Sequence, residues 1–165
     1  MSRKFSSLQD IYDFYQDGGT LASLTNLTQQ DLNDLHSYAY TAYQSGDVIT
    51  ARNLFHLLTY LEHWNYDYTL SLGLCHQRLS NHEDAQLCFA RCATLVMQDP
   101  RASYYSGISY LLVGNRKMAK KAFKACLMWC NEQEKYATYK EKISFRVRYV
   151  SYGNLHYKRL EIFIY

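Results

Sequence analysis

Apolar residues recur every three or four positions along most of this chain, which is the spacing of one face of an α-helix. The first apolar stripe ends before a pair of glycines and consists of Leu8, Ile11, Tyr12 and Tyr15. The pattern resumes near residue 28 and continues to about residue 143, with short polar turns between its segments. It predicts an all-α protein made of helices joined by short connections.

The helical pattern repeats every 34 residues. An Ala-x-x-x-Phe pair begins at Ala51, Ala85 and Ala119, with no insertion between the copies. Two further columns keep this register: small residues at Ala39, Gly73 and Gly107, and turn residues at Gly46, Ser80 and Gly114. Small residues let two helices approach to about 8–10 Å where they cross. We therefore expect three helix pairs stacked as a right-handed superhelix, with first helices near 33–45, 67–79 and 101–113 and second helices near 48–62, 82–97 and 116–130.

The two ends of the chain differ from the repeats. Residues 1–27 are predicted to form an N-terminal helix and hinge, residues 28–143 the three-repeat domain, and residues 144–165 an atypical aromatic and basic tail. A seventh helix near 132–143 is expected to cap the stack, because the last apolar face of a repeat array must be covered. The front stripe is predicted to make a dimer contact, and packing within its own chain is the alternative.

The net charge of +3 is concentrated in the tail, where residues 144–165 hold four basic residues and one acidic residue. The remaining sequence balances 14 basic against 14 acidic residues, so a basic face on the body is not expected and nucleic acid is a poor candidate partner. Membrane contact is left open for the tail alone. The chain has no secretory signal pattern and no apolar run long enough to span a bilayer, which favours the cytoplasm, with a peripheral place at the inner membrane left open.

The sequence gives little evidence for a catalytic or metal-binding site. Cys88 with Cys92, and Cys126 with Cys130, share a helix face at a spacing of four, but Cys92 and Cys126 stand in the repeat column that Leu58 occupies. Structural zinc sites usually place closely spaced cysteines on a turn, so core packing is the better interpretation of this column. The sequence contains no glycine-rich phosphate loop and no plausible nucleophile–base pair. We therefore expect no enzyme, no cofactor and no metal.

The 34-residue period resembles the tetratricopeptide repeat, and residues 5–143 as a whole resemble the class II chaperones of bacterial type III secretion. The segments that carry the likeness are the hinge 18–21 and the stretches 35–46, 51–58 and 66–73. The resemblance implies a cytosolic, non-enzymatic chaperone. Its expected partners are secreted pore-forming translocator proteins of the EspD and EspB kind, held before export, and a second copy of itself in a weak homodimer. The chain departs from the family pattern at His36, where relatives usually carry Tyr, and in its tail.

In this repeat class, the first helix of each pair lines a concave groove that receives an extended client segment. The corresponding inner positions are His36, Tyr40, Tyr43, Leu70, Leu74, Gln77, Tyr104, Ile108 and Leu111. An apolar and aromatic run on a concave face predicts a binding site, and cover by a neighbouring helix or by the tail is the alternative. A general repeat adaptor that clamps the acidic C-terminus of another bacterial protein is the alternative function. It would need Lys, Arg and Asn at inner positions that are mostly apolar here.

Overall fold

The computed structural model describes residues 5–131, 134–137, 140, 143–144 and 146 of the 165-residue chain. These residues contain seven α-helices and two short 3₁₀ turns, with no strand among them. The predicted all-α fold is confirmed, and the six repeat helices lie within a few residues of their expected bounds. The chain divides into two compact units, one up to Leu79 and one from Ser80 onward.

Unit 1 holds four helices: α1 (Leu8–Gln16), α2 (Gln29–Ser45), α3 (Val48–Leu61) and α4 (Tyr66–Arg78). A 3₁₀ turn at Ala22–Leu24 separates α1 from α2. Helix α3 packs against both α2 and α4, and its Phe55 and Leu58 are almost completely buried. The alanines of the repeat, Ala39 and Ala51, are fully buried as well. The repeat columns of the sequence are therefore the core positions of this unit.

Capping boxes fix where the first two helices begin. At α1, the Ser7 hydroxyl accepts from the Asp10 amide, and the Asp10 carboxylate accepts from the Ser7 amide. The same pair of bonds joins Thr28 and Asp31 at the start of α2. Each box satisfies amides that a helix start would otherwise leave without partners. The hydroxyl and amide of Thr28 also hold the pKa of Asp31 below its usual value.

Unit 2 contains α5 (His82–Leu95), α6 (Pro100–Leu112) and α7 (Arg116–Asn131). Pro100 occupies the first position of α6, where its missing amide costs nothing. The small-residue column has a direct cause here, because a Cβ on Gly107 would lie 2.6 Å from the Phe123 ring. Phe123 itself is fully buried. Glycine therefore lets α6 and α7 meet at the distance that the phenylalanine requires.

The turn column also has a physical cause. Gly46, Ser80 and Gly114, spaced 34 residues apart, have φ values of 93°, 63° and 77°. This left-handed conformation favours glycine, because a Cβ crowds the following carbonyl oxygen. Ser80 is the one non-glycine residue with positive φ in the described part of the chain. The sequence period is therefore a period of backbone geometry as well as of packing.

The predicted cap at 132–143 is only partly described. A 3₁₀ turn occupies Glu134–Tyr136, and the described residues at 137, 140, 143, 144 and 146 are helical. Ile143 is completely buried and belongs to the core cluster of unit 2. The tail predicted at 144–165 lies outside the described residues except at Ser144 and Arg146. None of the described helices combines the length and apolarity that crossing a bilayer would require.

Candidate functional site at the inner helix positions

The inner positions of α2 form one face, because His36, Tyr40 and Tyr43 are spaced by four and then three residues. Tyr40 is the most accessible of the three, with 51% of its surface exposed. His36 and Tyr43 are half-buried on either side of it. A large, half-exposed aromatic ring with a polar hydroxyl can bury apolar area and still hydrogen-bond to a peptide backbone.

His36 also has a packing role that the sequence did not reveal. Its ring centroid lies 5.8 Å from that of Phe55 on α3 and 5.4 Å from that of Tyr68 on α4. It therefore bridges three helices of unit 1, and only part of the imidazole faces outward. Tyr68 was absent from the predicted site, since its helical spacing alone marks it as an ordinary core residue.

Tyr43 meets an arginine that the sequence analysis also missed. The Arg78 guanidinium carbon lies 5.1 Å from the centre of the Tyr43 ring, and Arg78 Nη1 donates to the Tyr43 carbonyl oxygen at 2.7 Å. The two residues are 35 positions apart, and only the packing of α4 against α2 and α3 brings them together. This edge of the α2 face therefore carries a positive charge.

The α4 positions are less accessible than those of α2. Leu74 is half-buried, whereas Leu70 and Gln77 are buried. Within unit 1, the accessible part of the predicted groove consists of Tyr40, with His36, Tyr43 and Leu74 beside it.

The α6 positions are buried, whereas the sequence predicted that they would line the open groove. Tyr104, Ile108 and Leu111 are all buried and form one cluster with Phe123 and Ile143. The Arg146 guanidinium lies 5.4 Å from the centre of the Tyr104 ring, and burial raises the pKa of the Tyr104 hydroxyl. The described residues Ile143 and Arg146, which follow α7 in the chain, lie against this cluster, because the last helix pair of an array has no further repeat to bury its apolar face.

The predicted front stripe faces outward for much of its surface. Leu8 is 85% exposed and Tyr12 59% exposed, while Ile11 and Tyr15 are each more than one third exposed. The anchor of α1 is instead Phe14, whose ring packs at 5.3 Å from that of Phe5. Gly19 lies directly beneath it, since a Cβ there would clash with the Phe14 ring. The far end of α1 is held by Tyr15, at 5.3 Å from the His63 ring.

The cysteines behave as core residues. All five are free thiols, and all except the half-buried Cys88 are buried. Burial raises the pKa of Cys88 to about 11 and also raises the pKa of Cys126, which disfavours the reactive thiolate in both. In the part of the chain that the structure describes, no group of three or more His, Cys, Asp or Glu side chains is placed to hold a metal ion.

Charge is segregated more strongly than the overall balance indicates. Residues 5–79 hold eight acidic and two basic residues, whereas 80–131 hold seven basic and three acidic residues. Five of those basic residues lie on α7, which has no acidic residue: Arg116, Lys117, Lys120, Lys121 and Lys124. The expectation that the body lacks a basic face is therefore wrong, because a neutral sum conceals two opposite local excesses.

Residues 32–65 match the tetratricopeptide repeat family. Solved structures with the same fold superpose on most of the chain. A T3SS complex from Aeromonas hydrophila superposes with a TM-score of 0.82 at 25% identity, covering 87% of this chain and 95% of that one. PcrH in complex with the chaperone binding region of PopD superposes with a TM-score of 0.74 at 23% identity, covering 78% and 96%. The chain therefore has the fold of the tetratricopeptide-repeat proteins.

Two relatives indicate which kind of repeat protein this chain resembles. Low calcium response locus protein H of Yersinia pestis is 30% identical over 101 residues, which is 61% of this chain and 60% of the relative. Chaperone protein SicA of Salmonella dublin is 28% identical over 113 residues, 68% of each chain. The chain thus spans less than two thirds of the length of the first of these proteins. The Salmonella relative is a chaperone.

Proposed function

We propose that this protein is a chaperone of type III secretion that binds translocator proteins in the bacterial cytoplasm. It holds an extended client segment against the inner face of α2 and keeps the client soluble without ATP. The observation that carries the proposal is the half-exposed Tyr40, set between half-buried His36 and Tyr43 on that face. Support comes from the relatives, which are chaperones, and from PcrH, whose structure contains the chaperone binding region of PopD.

The side chains on the inner face of α2 indicate which kind of client segment it would bind. Aromatic rings with apolar neighbours suit the apolar side chains of a membrane-inserting protein, which would otherwise aggregate in water. The client must also leave for export, so a few anchors serve better than a large sealed interface. Because the described α6 positions are buried, the proposed contact in unit 1 centres on Tyr40, Tyr43 and Leu74. The protein acts by binding and carries out no chemical reaction.

The test is titration calorimetry with a peptide from the candidate translocator. The double variant Tyr40→Ala with Tyr43→Ala should weaken binding by about 30- to 1000-fold, because each anchor contributes roughly 1–2 kcal/mol. The matched control is Tyr38→Ala, which removes an exposed tyrosine from a different face of the same helix and should leave binding unchanged. If the double variant bound the peptide with wild-type affinity, the inner face of α2 would not be the client-binding surface.

One observation supports the adaptor alternative: the Arg78 side chain lies at the edge of this face. That guanidinium stacks on Tyr43 and donates to its carbonyl oxygen, so holding a carboxylate would require it to leave both contacts. Peptides with a free and an amidated C-terminus separate the two functions. The chaperone proposal expects equal affinities, whereas a carboxylate clamp expects the amidated peptide to bind far more weakly.

The front stripe is proposed as a contact between copies, giving a weak homodimer. Leu8 and Tyr12 expose large apolar surfaces that the described part of the chain leaves open to solvent. Deleting residues 1–17 should give monomers at micromolar concentration while the repeats keep their helicity. An unchanged mass by light scattering would show that α1 makes no contact between copies.

A further inference from the structure

Arg78 of α4 contacts two different parts of one residue on the inner face of α2. Its Nη1 donates to the Tyr43 carbonyl oxygen at 2.7 Å. The guanidinium carbon of the same side chain lies 5.1 Å from the centre of the Tyr43 ring, a distance at which a cation is attracted to the face of an aromatic ring. Because one planar group holds both the carbonyl oxygen and the ring, the Tyr43 side chain cannot turn about its own backbone without losing one of these contacts.

The hydrogen bond stabilises the end of α2. The last turn of this helix contains no basic residue, although the carbonyl oxygens at a helix C-terminus carry partial negative charge and favour a cation. The Gly46 amide donates to the Tyr43 carbonyl oxygen at 3.3 Å, and the second lone pair of that oxygen accepts from Arg78. The last turn of α4 therefore supplies the positive charge that α2 lacks.

The ring contact distinguishes Tyr43 from Tyr40, its neighbour on the inner face. Tyr40 is half-exposed, and its side chain forms no hydrogen bond or ring contact with the described part of the chain. Tyr43 is half-buried and is restrained by Arg78 before any client arrives. Ordering a side chain costs rotamer freedom, so a ring that is already restrained loses less freedom on binding than one that is not.

We propose that Arg78 is a positioning residue of the client-binding face, which holds the Tyr43 ring in the orientation in which a client segment packs against it. This role rests on the proposed function of the inner face of α2. The client contacts the Tyr43 ring, whereas the Arg78 guanidinium stays on the ring and on the carbonyl oxygen. Without this restraint the ring must be ordered during binding, which should weaken the affinity for the client by about 3- to 10-fold.

Arginine suits this role better than lysine. Its guanidinium is planar, so it can lie over an aromatic ring while an N–H at its edge donates to an oxygen atom. A lysine ammonium is a compact charge that can donate to the carbonyl oxygen but has no plane to stack on the ring. Arg78→Lys therefore keeps the positive charge at the end of α2, and with it most of the stability, but removes the restraint on Tyr43.

Double-mutant cycles in the full chain test this role by titration calorimetry with the translocator peptide. Arg78→Ala should weaken binding about 3- to 10-fold in the parent and in the Tyr40→Ala background. It should add nothing in the Tyr43→Ala background, because the ring that Arg78 restrains is then absent. Tyr40 is the matched control, since it lies on the same face of α2. Arg78→Lys should show the same loss of affinity with a melting temperature close to that of the parent, which separates binding from stability.

The restraint can also be measured without a client. In nuclear magnetic resonance spectra of the free protein, the ring current of Tyr43 should shift the side-chain protons of Arg78 upfield. Tyr43→Leu should return these protons toward ordinary arginine values, whereas Tyr40→Leu should leave them where they are. This measurement reports the contact between the ring and the guanidinium, and a change in overall stability does not imitate it.

Three results would overturn the role of Arg78 alone. The first is parent-like affinity in Arg78→Ala or Arg78→Lys while the double variant of Tyr40 and Tyr43 binds weakly. The second is an equal loss from Arg78→Ala in the Tyr43→Ala background, which would mean that Arg78 contacts the client itself. The third is that Tyr43→Leu leaves the Arg78 resonances unshifted. If the double tyrosine variant binds as the parent does, the proposed function of this face fails and the role of Arg78 in binding fails with it.

Discussion

The inner faces of α2 and α6 occupy equivalent repeat positions and have opposite surroundings. Tyr40 on α2 is half-exposed, whereas its counterpart Ile108 on α6 is buried with Tyr104 and Leu111. On α6 the cover includes Ile143, from the segment that follows the last repeat helix. Equivalent columns of a repeat can therefore be accessible in one unit and buried in another, depending on what the chain places over them.

The largest expected effect tests the core that α6 and α7 share. Phe123→Ala removes a fully buried ring and should lower the free energy of unfolding by about 3–5 kcal/mol. Phe55→Ala is the equivalent change in unit 1, and its ring is as deeply buried. Chemical denaturation followed by circular dichroism measures both losses. A loss below about 1 kcal/mol for Phe123→Ala would contradict the repeat register, because a ring in that column must leave a cavity.

The cover over α6 is tested by Ile143→Ala. Truncating this fully buried side chain should cost about 2–4 kcal/mol, because the cavity opens against Tyr104, Ile108 and Leu111. The control Ile49→Ala removes the same atoms from an exposed position and should cost little. Equal melting temperatures for Ile143→Ala and the parent would mean that α6 is an open face like that of α2.

A smaller effect concerns the buried carboxylate at the start of α6. Burial tends to raise the pKa of Asp99, but hydrogen bonds and charge from Arg101, with the Tyr136 hydroxyl at 3.0 Å, bring it below its usual value. A lowered folded-state pKa means that the ionised form stabilises the fold above the unfolded value of about 3.9. Asp99→Asn should therefore cost about 1–3 kcal/mol at pH 7.

The advantage of Asp99 should shrink as the pH falls below about 4 and through the folded-state pKa, because both states then bind the proton. Parallel denaturation curves of the parent and of Asp99→Asn between pH 7 and about pH 3 measure the difference. A difference that stays constant over this range would assign the loss to packing instead of ionisation.

The smallest expected change in stability belongs to the open face. Tyr40→Ala should alter the free energy of unfolding by less than about 0.5 kcal/mol, since half of its surface is already in water. Tyr104→Ala should cost several times more, because its ring belongs to the buried cluster. Thermal melts of the two variants compare the faces directly. Similar losses would mean that Tyr40 is a packing residue and that the client contacts another surface.

Much of the fold was determined by the sequence itself. The 34-residue columns placed the ends of six helices to within a few residues, because each column holds residues that a local turn or helix contact requires. Gly46 and Gly114 allow a left-handed turn, and Gly107 makes room for Phe123. These turns and contacts involve residues that are close in the chain or one helix pair apart, so the spacing of the residue types in the sequence reveals them.

The tertiary structure decided which predicted site residues are accessible. Periodicity places Tyr40, Leu70 and Tyr104 on equivalent inner faces, but burial depends on what packs over each face, and that cover comes from elsewhere in the chain. The same reason explains why Arg78 beside Tyr43 was missed, since 35 residues separate them. The basic face of α7 could have been read from its composition, but the total charge concealed it. Sequence spacing fixes the direction in which a side chain leaves its helix, and only the packing of distant segments decides what it meets there.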